Sequence, residues 1–167
     1  LLVAAPAMSA RSFPSGRRRY GRHGCREKQA SLGAGAGGPL HIRVERVECW
    51  GLARPLRILY VSDLHLGHAW TRGIGGQVIR AARIARADLI LLGGDLLDHA
   101  GGAPLRRRCV MLLARLAPVY AIPGNHDHRA GLDIVRDTIR AAGARWLADP
   151  VEIGDVAIEL ISTIRYK

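Results

Sequence analysis

Residues 56–67 read LRILYVSDLHLG, and this stretch decides the fold. Leu56 to Val61 is a short apolar run rich in strand formers, the length of a buried strand. It breaks into the polar segment Ser62-Asp63-Leu64-His65-Leu66-Gly67. The same grammar recurs twice. Asp88 to Leu92 runs into Gly93-Gly94-Asp95-Leu96-Leu97-Asp98, and Val119 to Ile122 runs into Pro123-Gly124-Asn125-His126-Asp127. Segments of helical spacing separate these strands. Ile74, Val78, Ala81, Ala82 and Ala85 share one face of 74–86, with arginines opposite. Residues 104–117 predict a helix with Pro104 near its first turn and Arg106, Arg107 and Arg108 exposed. Residues 132–142 predict a third helix, ending at Gly143. His41 to Glu45 alternates as a half-exposed strand, and 151–161 predicts a hairpin turning at Gly154-Asp155. Strands alternating with helices imply β-α-β units and a largely parallel sheet, so the fold class is α/β.

The chain has 167 residues and a formal charge of +11, unevenly spread. Residues 1–38 hold seven basic side chains and one acid, and the Gly/Ala run from Gly33 to Gly38. Residues 1–39 therefore read as a flexible basic tail rich in Gly, Ala and Arg, and 40–167 as the folded domain. Arg17-Arg18-Arg19 is open to two readings: contact with phosphates of nucleic acid or anionic lipid, or a solvated tail. Leu1 to Ala10 is apolar and small, but no initiator Met or basic segment precedes it, and Met8 is an alternative start. No apolar run approaches the ~18 residues of a membrane span. Cys25, Cys49 and Cys109 are odd in number and far apart, which excludes a fully paired disulfide scaffold and a Cys-x-x-Cys zinc site.

In an open parallel sheet, ligands bind beyond the carboxyl ends of the strands. The three loops would bring Asp63, His65, Asp95, Asn125 and His126 to one edge. Carboxylate, imidazole and amide oxygen suit Mn, Fe, Zn or related divalent ions. From an extended segment, Asp63 and His65 would point the same way, because the strand period is two. Gly94 and Gly124 let the backbone turn sharply and approach a metal or phosphate.

Asp63-Leu64-His65, Gly94-Asp95-Leu96-Leu97 and Gly124-Asn125-His126-Asp127 resemble the first three signature motifs of calcineurin-like metallophosphoesterases, in order and separation. The resemblance implies the N-terminal portion of a four-layer α/β/β/α sandwich. It implies a phosphoester hydrolase with two divalent metal ions, Mn, Fe or Zn, which would activate water and neutralise phosphoryl charge. Asp63 and His65 would hold the first ion, Asp95 would bridge both, and Asn125 would hold the second. His126 would stand beside the scissile phosphate, with Asp127 orienting its ring. Asp98 would support its loop, or serve structure only. His68 and His128 would be loop residues within reach of substrate, His99 a loop residue, and Trp70 a packing residue or a cover for the site. The wording from Val61 to Gly67 is most similar to the bacterial membrane-associated phosphodiesterase branch. Some of its members act on lipid-linked substrates such as UDP-diacylglucosamine.

The family pattern continues with another metal-binding His and a Gly-His-x-His motif, whereas no histidine follows His128 here. The expectation is a domain truncated at its C-terminus, with incomplete metal spheres, mutually repelling carboxylates and little activity as written. Two alternatives stand beside a phosphodiesterase: a nuclease-type member of the superfamily, and a non-catalytic remnant binding anionic surfaces through its basic tail. Cytoplasmic location or peripheral membrane association fits either.

Overall fold

The computed structural model describes residues 5–6, 28–35, 38–44, 52–66, 73–96, 102–154 and 156–158. In chain order the elements are β1 (Ala5–Pro6), β2 (Lys28–Gly35), β3 (Gly38–Val44), β4 (Ile58–Val61), α1 (Ile74–Ala85), β5 (Leu89–Leu92), α2 (Ala103–Ala114), β6 (Val119–Ala121), α3 (Asn125–Ala130), α4 (Leu132–Ala141), β7 (Arg145–Trp146), β8 (Val151–Ile153) and β9 (Val156–Ile158). Strands β4, β5, β6 and β7 form a parallel sheet in that order. The α/β expectation holds, and the sheet is parallel because each strand is followed by a segment that crosses back before the next begins.

Strand β5 is the centre of the domain. All four of its residues are buried, and they serve two cores by simple alternation. Ile90 and Leu92 join Val78, Val110, Leu113, Val135 and Ile139 on the helical face. Leu89 and Leu91 join Tyr120, Leu147 and Ile158 on the other face, where the β8–β9 hairpin packs. Each such aliphatic side chain contributes roughly 1.5–3 kcal/mol on burial. The described layers are thus helices, parallel sheet and a small antiparallel sheet, consistent with the N-terminal part of the expected sandwich. Among the described residues no helix is long and apolar enough to cross a membrane.

Several expectations are revised. The second helix ends at Ala114, three residues earlier than its pattern suggests, and Ala117 then tucks into the core. Arg107 and Arg108 are exposed as expected, but Arg106 is fully buried. It stands on the same stripe as Cys109, Val110 and Leu113, so helical phase overrides its charge. Lys28–Gly35 lies in the stretch read as tail, yet it pairs antiparallel with Gly38–Val44. Backbone hydrogen bonding in a ladder needs no apolar face, which is why composition does not reveal it. Ala5–Pro6 pairs with β9. The runs Arg17–Arg19 and the residues Gly67, His68, Trp70, Asp98 and His99 lie outside the described residues.

At the amino end of the sheet, Asp88 clips β4 to β5. Its carboxylate accepts from the Arg57 backbone amide at 2.8 Å and from Arg57 Nε at 3.2 Å. Hydrogen bonds from the Arg57 side chain, then from its amide, hold the Asp88 carboxyl below its ordinary 3.8. A lowered folded-state pKa gives stability that is present above the unfolded value and lost as pH falls through the folded one. Asp88→Asn should therefore lower stability at neutral pH and flatten the acid limb of the stability–pH curve below about pH 4, with the slope above pH 7 unchanged, as read by urea unfolding.

Candidate metal centre

The site is built from the three loops that leave β4, β5 and β6. Its first property is backbone strain. Among the described residues only four non-glycine residues have positive φ, and three of them are Asp63 (58°), His65 (44°) and Asp95 (53°). The fourth, Arg86 at 48°, caps the end of α1. Asp and His tolerate the left-handed region better than most residues, but it still costs energy that the surroundings must offset. Extended geometry was expected to aim Asp63 and His65 together. Instead two left-handed residues flank Leu64, which is buried and anchors the turn.

Cross-loop hydrogen bonds hold that geometry. Asp63 N donates to Gly94 O at 3.1 Å, His65 N to Asp95 O at 3.0 Å and Leu66 N to Leu96 O at 2.9 Å. The first two loops are therefore laced residue by residue. The third is fastened by side chains: Asp95 Oδ1 accepts from His126 N at 2.9 Å, and Asp127 Oδ2 accepts from Gly124 N at 3.0 Å and Leu96 N at 3.4 Å. Gly94, at φ 95°, faces Gly124 so closely that a Cβ on Gly94 would lie 2.5 Å from Gly124 N. A Cβ on Gly124 would collide with the Asp95 carboxylate. These glycines let the loops approach one another, a tighter requirement than the approach to a ligand expected from sequence.

The result is a compact donor set. One ligand atom each from Asp63, His65 and Asp95 lies within 4.8 Å of the others, with Asp63 exposed and the other two half-buried. The His126 ring meets His65 edge to face, with centroids 4.8 Å apart and planes at 85°. Two carboxylates and an imidazole so close together suit a divalent ion in chemistry and spacing. Asn125 opens α3, a helix that the loop reading of this segment did not anticipate. That helix carries Asn125 and His126 on its first turn, and the His126 amide bonds the Asp95 carboxylate. Asp127 is fully buried, and its described bonds run to backbone amides.

A family model for calcineurin-like phosphoesterases matches residues 56–156, more than half of the chain. The chain belongs to the calcineurin-like phosphoesterase family. Members of this family use divalent metal ions, and Asp63, His65 and Asp95 form a group that could hold one. The domain is similar to phosphodiesterase YaeI of Escherichia coli K12, at 32% identity over 96 residues, covering 54% of this chain and 36% of that protein. It is also similar to an uncharacterised metallophosphoesterase of Aquifex aeolicus VF5, at 30% identity over 107 residues, covering 62% of this chain and 40% of that protein. The aligned segments thus span two fifths or less of the lengths of these relatives.

Sequence inspection passed over two features of this domain. One is the role of Asp127 as the fastener of the second and third loops. The other is Arg106, fully buried on α2. Its only signal in the sequence is its place on the stripe Arg106, Cys109, Val110, Leu113.

Proposed function

We propose that this chain serves metal-dependent hydrolysis of phosphoester bonds, with diesters favoured. The observation that carries this reading is the convergence of Asp63, His65 and Asp95 beside the His126 ring at the carboxyl end of the parallel sheet. Divalent ions bound there would supply an activated water and neutralise charge on the phosphoryl oxygens. Asp63 and His65 would hold one ion, Asn125 a second, and Asp95 would bridge the two. His126, its backbone fixed by the Asp95 carboxylate and its ring set against His65, would donate a hydrogen bond or proton to the substrate oxygen. Asp127 holds the loop that carries both residues. The phosphodiesterase named in Escherichia coli supports the preference for diesters. A lipid-linked diester, approached at a membrane surface, is the finer form of this reading.

Mn titration of the 167-residue chain by electron paramagnetic resonance, with hydrolysis of bis-p-nitrophenyl phosphate followed in parallel, tests the proposal. Saturable Mn binding is expected. Hydrolysis is expected to be faster on the diester than on p-nitrophenyl phosphate. A chain that binds no Mn, or hydrolyses equally well in EDTA, would sink it.

A further inference from the structure

The outer side of the helical layer carries a charge imbalance that the metal site does not use. Helices α1 and α2 turn Val78, Ala82, Val110 and Leu113 toward the sheet, so their opposite sides face away from it together. Six arginines stand exposed on these helices or on the turn that ends each: Arg80, Arg83, Arg86, Arg107, Arg108 and Arg115. No acid occurs from Gly73 to Ala87 or from Gly102 to Gly124, and none of the six makes an ion pair among the described residues. Helix α4, the neighbour of α2, is built differently. Arg136 pairs there with Asp133 and Asp137, and two arginines balance two acids. Interleaved with the six arginines are Ile84, Leu105, Met111 and Leu116, four of the seven large apolar residues exposed among the described residues. Arg107, Arg108, Met111 and Thr138 also line an open groove of about 470 Å³ between α2 and α4.

Guanidinium groups gathered without carboxylates repel one another, and large apolar side chains left in water forgo burial, so the face fits an anionic partner with an apolar layer. A nucleic acid would satisfy the arginines and leave the apolar residues in water. A second copy of this chain would oppose like charges. The surface of a bilayer containing anionic phospholipid meets both needs: its phosphates accept from the guanidinium groups, while the acyl boundary takes up Ile84, Leu105, Met111 and Leu116. We propose that the outer face of α1 and α2 docks this domain on an anionic phospholipid bilayer, with a head group seated in the groove beside Arg107 and Arg108. Helix α1 ends shortly before β5 and α2 shortly before β6, so both helices start toward the edge of the sheet where Asp63, His65 and Asp95 converge. Docking by this face brings that edge alongside the bilayer. That the lipid layer supplies the substrate rests on the function proposed above, whereas the docking itself does not.

Co-sedimentation of the full chain, in EDTA, with phosphatidylcholine vesicles containing roughly one third phosphatidylglycerol tests this. Binding should be about 10-fold or more stronger than to phosphatidylcholine alone, and should weaken as salt rises. Arg107→Gln/Arg108→Gln should lower binding about 10-fold or more. Arg136→Gln/Arg140→Gln removes the same charge from α4 and should change binding by less than about 2-fold. Leu105→Gln/Met111→Gln keeps every arginine and should still weaken binding about 5-fold or more. Arg17→Gln/Arg18→Gln/Arg19→Gln should keep most of the binding. Equal losses in the α2 and α4 arginine pairs, a loss confined to the Arg17, Arg18 and Arg19 variant, or a short DNA duplex bound more tightly than the vesicles would overturn the proposal. No metal or substrate enters this measurement. Failure of Mn binding or of hydrolysis therefore counts against the phosphoesterase reading, while vesicle binding alone judges the docking face.

Discussion

Gly94→Ala should destabilise the domain by about 2–5 kcal/mol, the sum of left-handed strain and a steric clash. Gly94 sits at φ 95°, where an L side chain is strained whatever the space available. The added Cβ would also stand 2.5 Å from Gly124 N and 2.7 Å from Gly124 Cα. Those are backbone atoms, and Gly124 N is already committed to Asp127, so neither loop can yield without breaking that hydrogen bond. Gly76, midway in the first half of α1, is the internal control. A Cβ there meets nothing within 4 Å, and Gly76→Ala should stabilise by about 0.5–1 kcal/mol through helix propensity. Urea unfolding of the two variants checks both signs, and a Gly94→Ala midpoint equal to the parent's would refute the close approach of the loops.

Asp95→Asn should separate the two roles of Asp95. Asparagine tolerates left-handed backbone, and its side-chain oxygen can still accept from His126 N, so the fold should persist. What disappears is a negative charge from the donor set shared with Asp63 and His65. Metal affinity should fall by about 100-fold, the upper end of what lesser changes around a metal cost. Stability without metal should stay level or rise slightly, because two carboxylates in one cluster repel without a cation between them. Asp95→Ala loses the ligand and also leaves His126 N without its acceptor, a further cost of about 1–3 kcal/mol. Equal Mn binding by the parent and Asp95→Asn, measured by titration, would remove Asp95 from the metal site.

Much of this was legible because it is encoded over short windows. LRILYV and DLILL announce strands by composition, and the hairpin is announced by Gly154-Asp155 between Val151-Glu152-Ile153 and Val156-Ala157-Ile158. Asp63, His65, Asp95 and Asn125 were legible as candidates because each follows such a strand. The departures occur where a residue's state depends on partners far along the chain. Asp95 Oδ1 and His126 N are 31 positions apart, as are Leu96 N and Asp127 Oδ2. Nothing within either loop alone announces those pairings. The two-residue β7 is likewise defined by pairing with β6 rather than by any pattern of its own.

Periodicity and the order of apolar runs determined the α/β class, the parallel sheet and the edge on which chemistry gathers, because strand and helix repeats are local properties of a chain. Tertiary contact alone decided the left-handed turns at Asp63, His65 and Asp95, the meeting of Gly94 with Gly124, and the burial of Arg106. In each case the local preference runs the other way. Left-handed backbone is strained for a side chain, and an arginine in an Arg-Arg-Arg run favours water. Cross-loop hydrogen bonds offset the first cost, and the helical phase that sets Arg106 among Cys109, Val110 and Leu113 imposes the second.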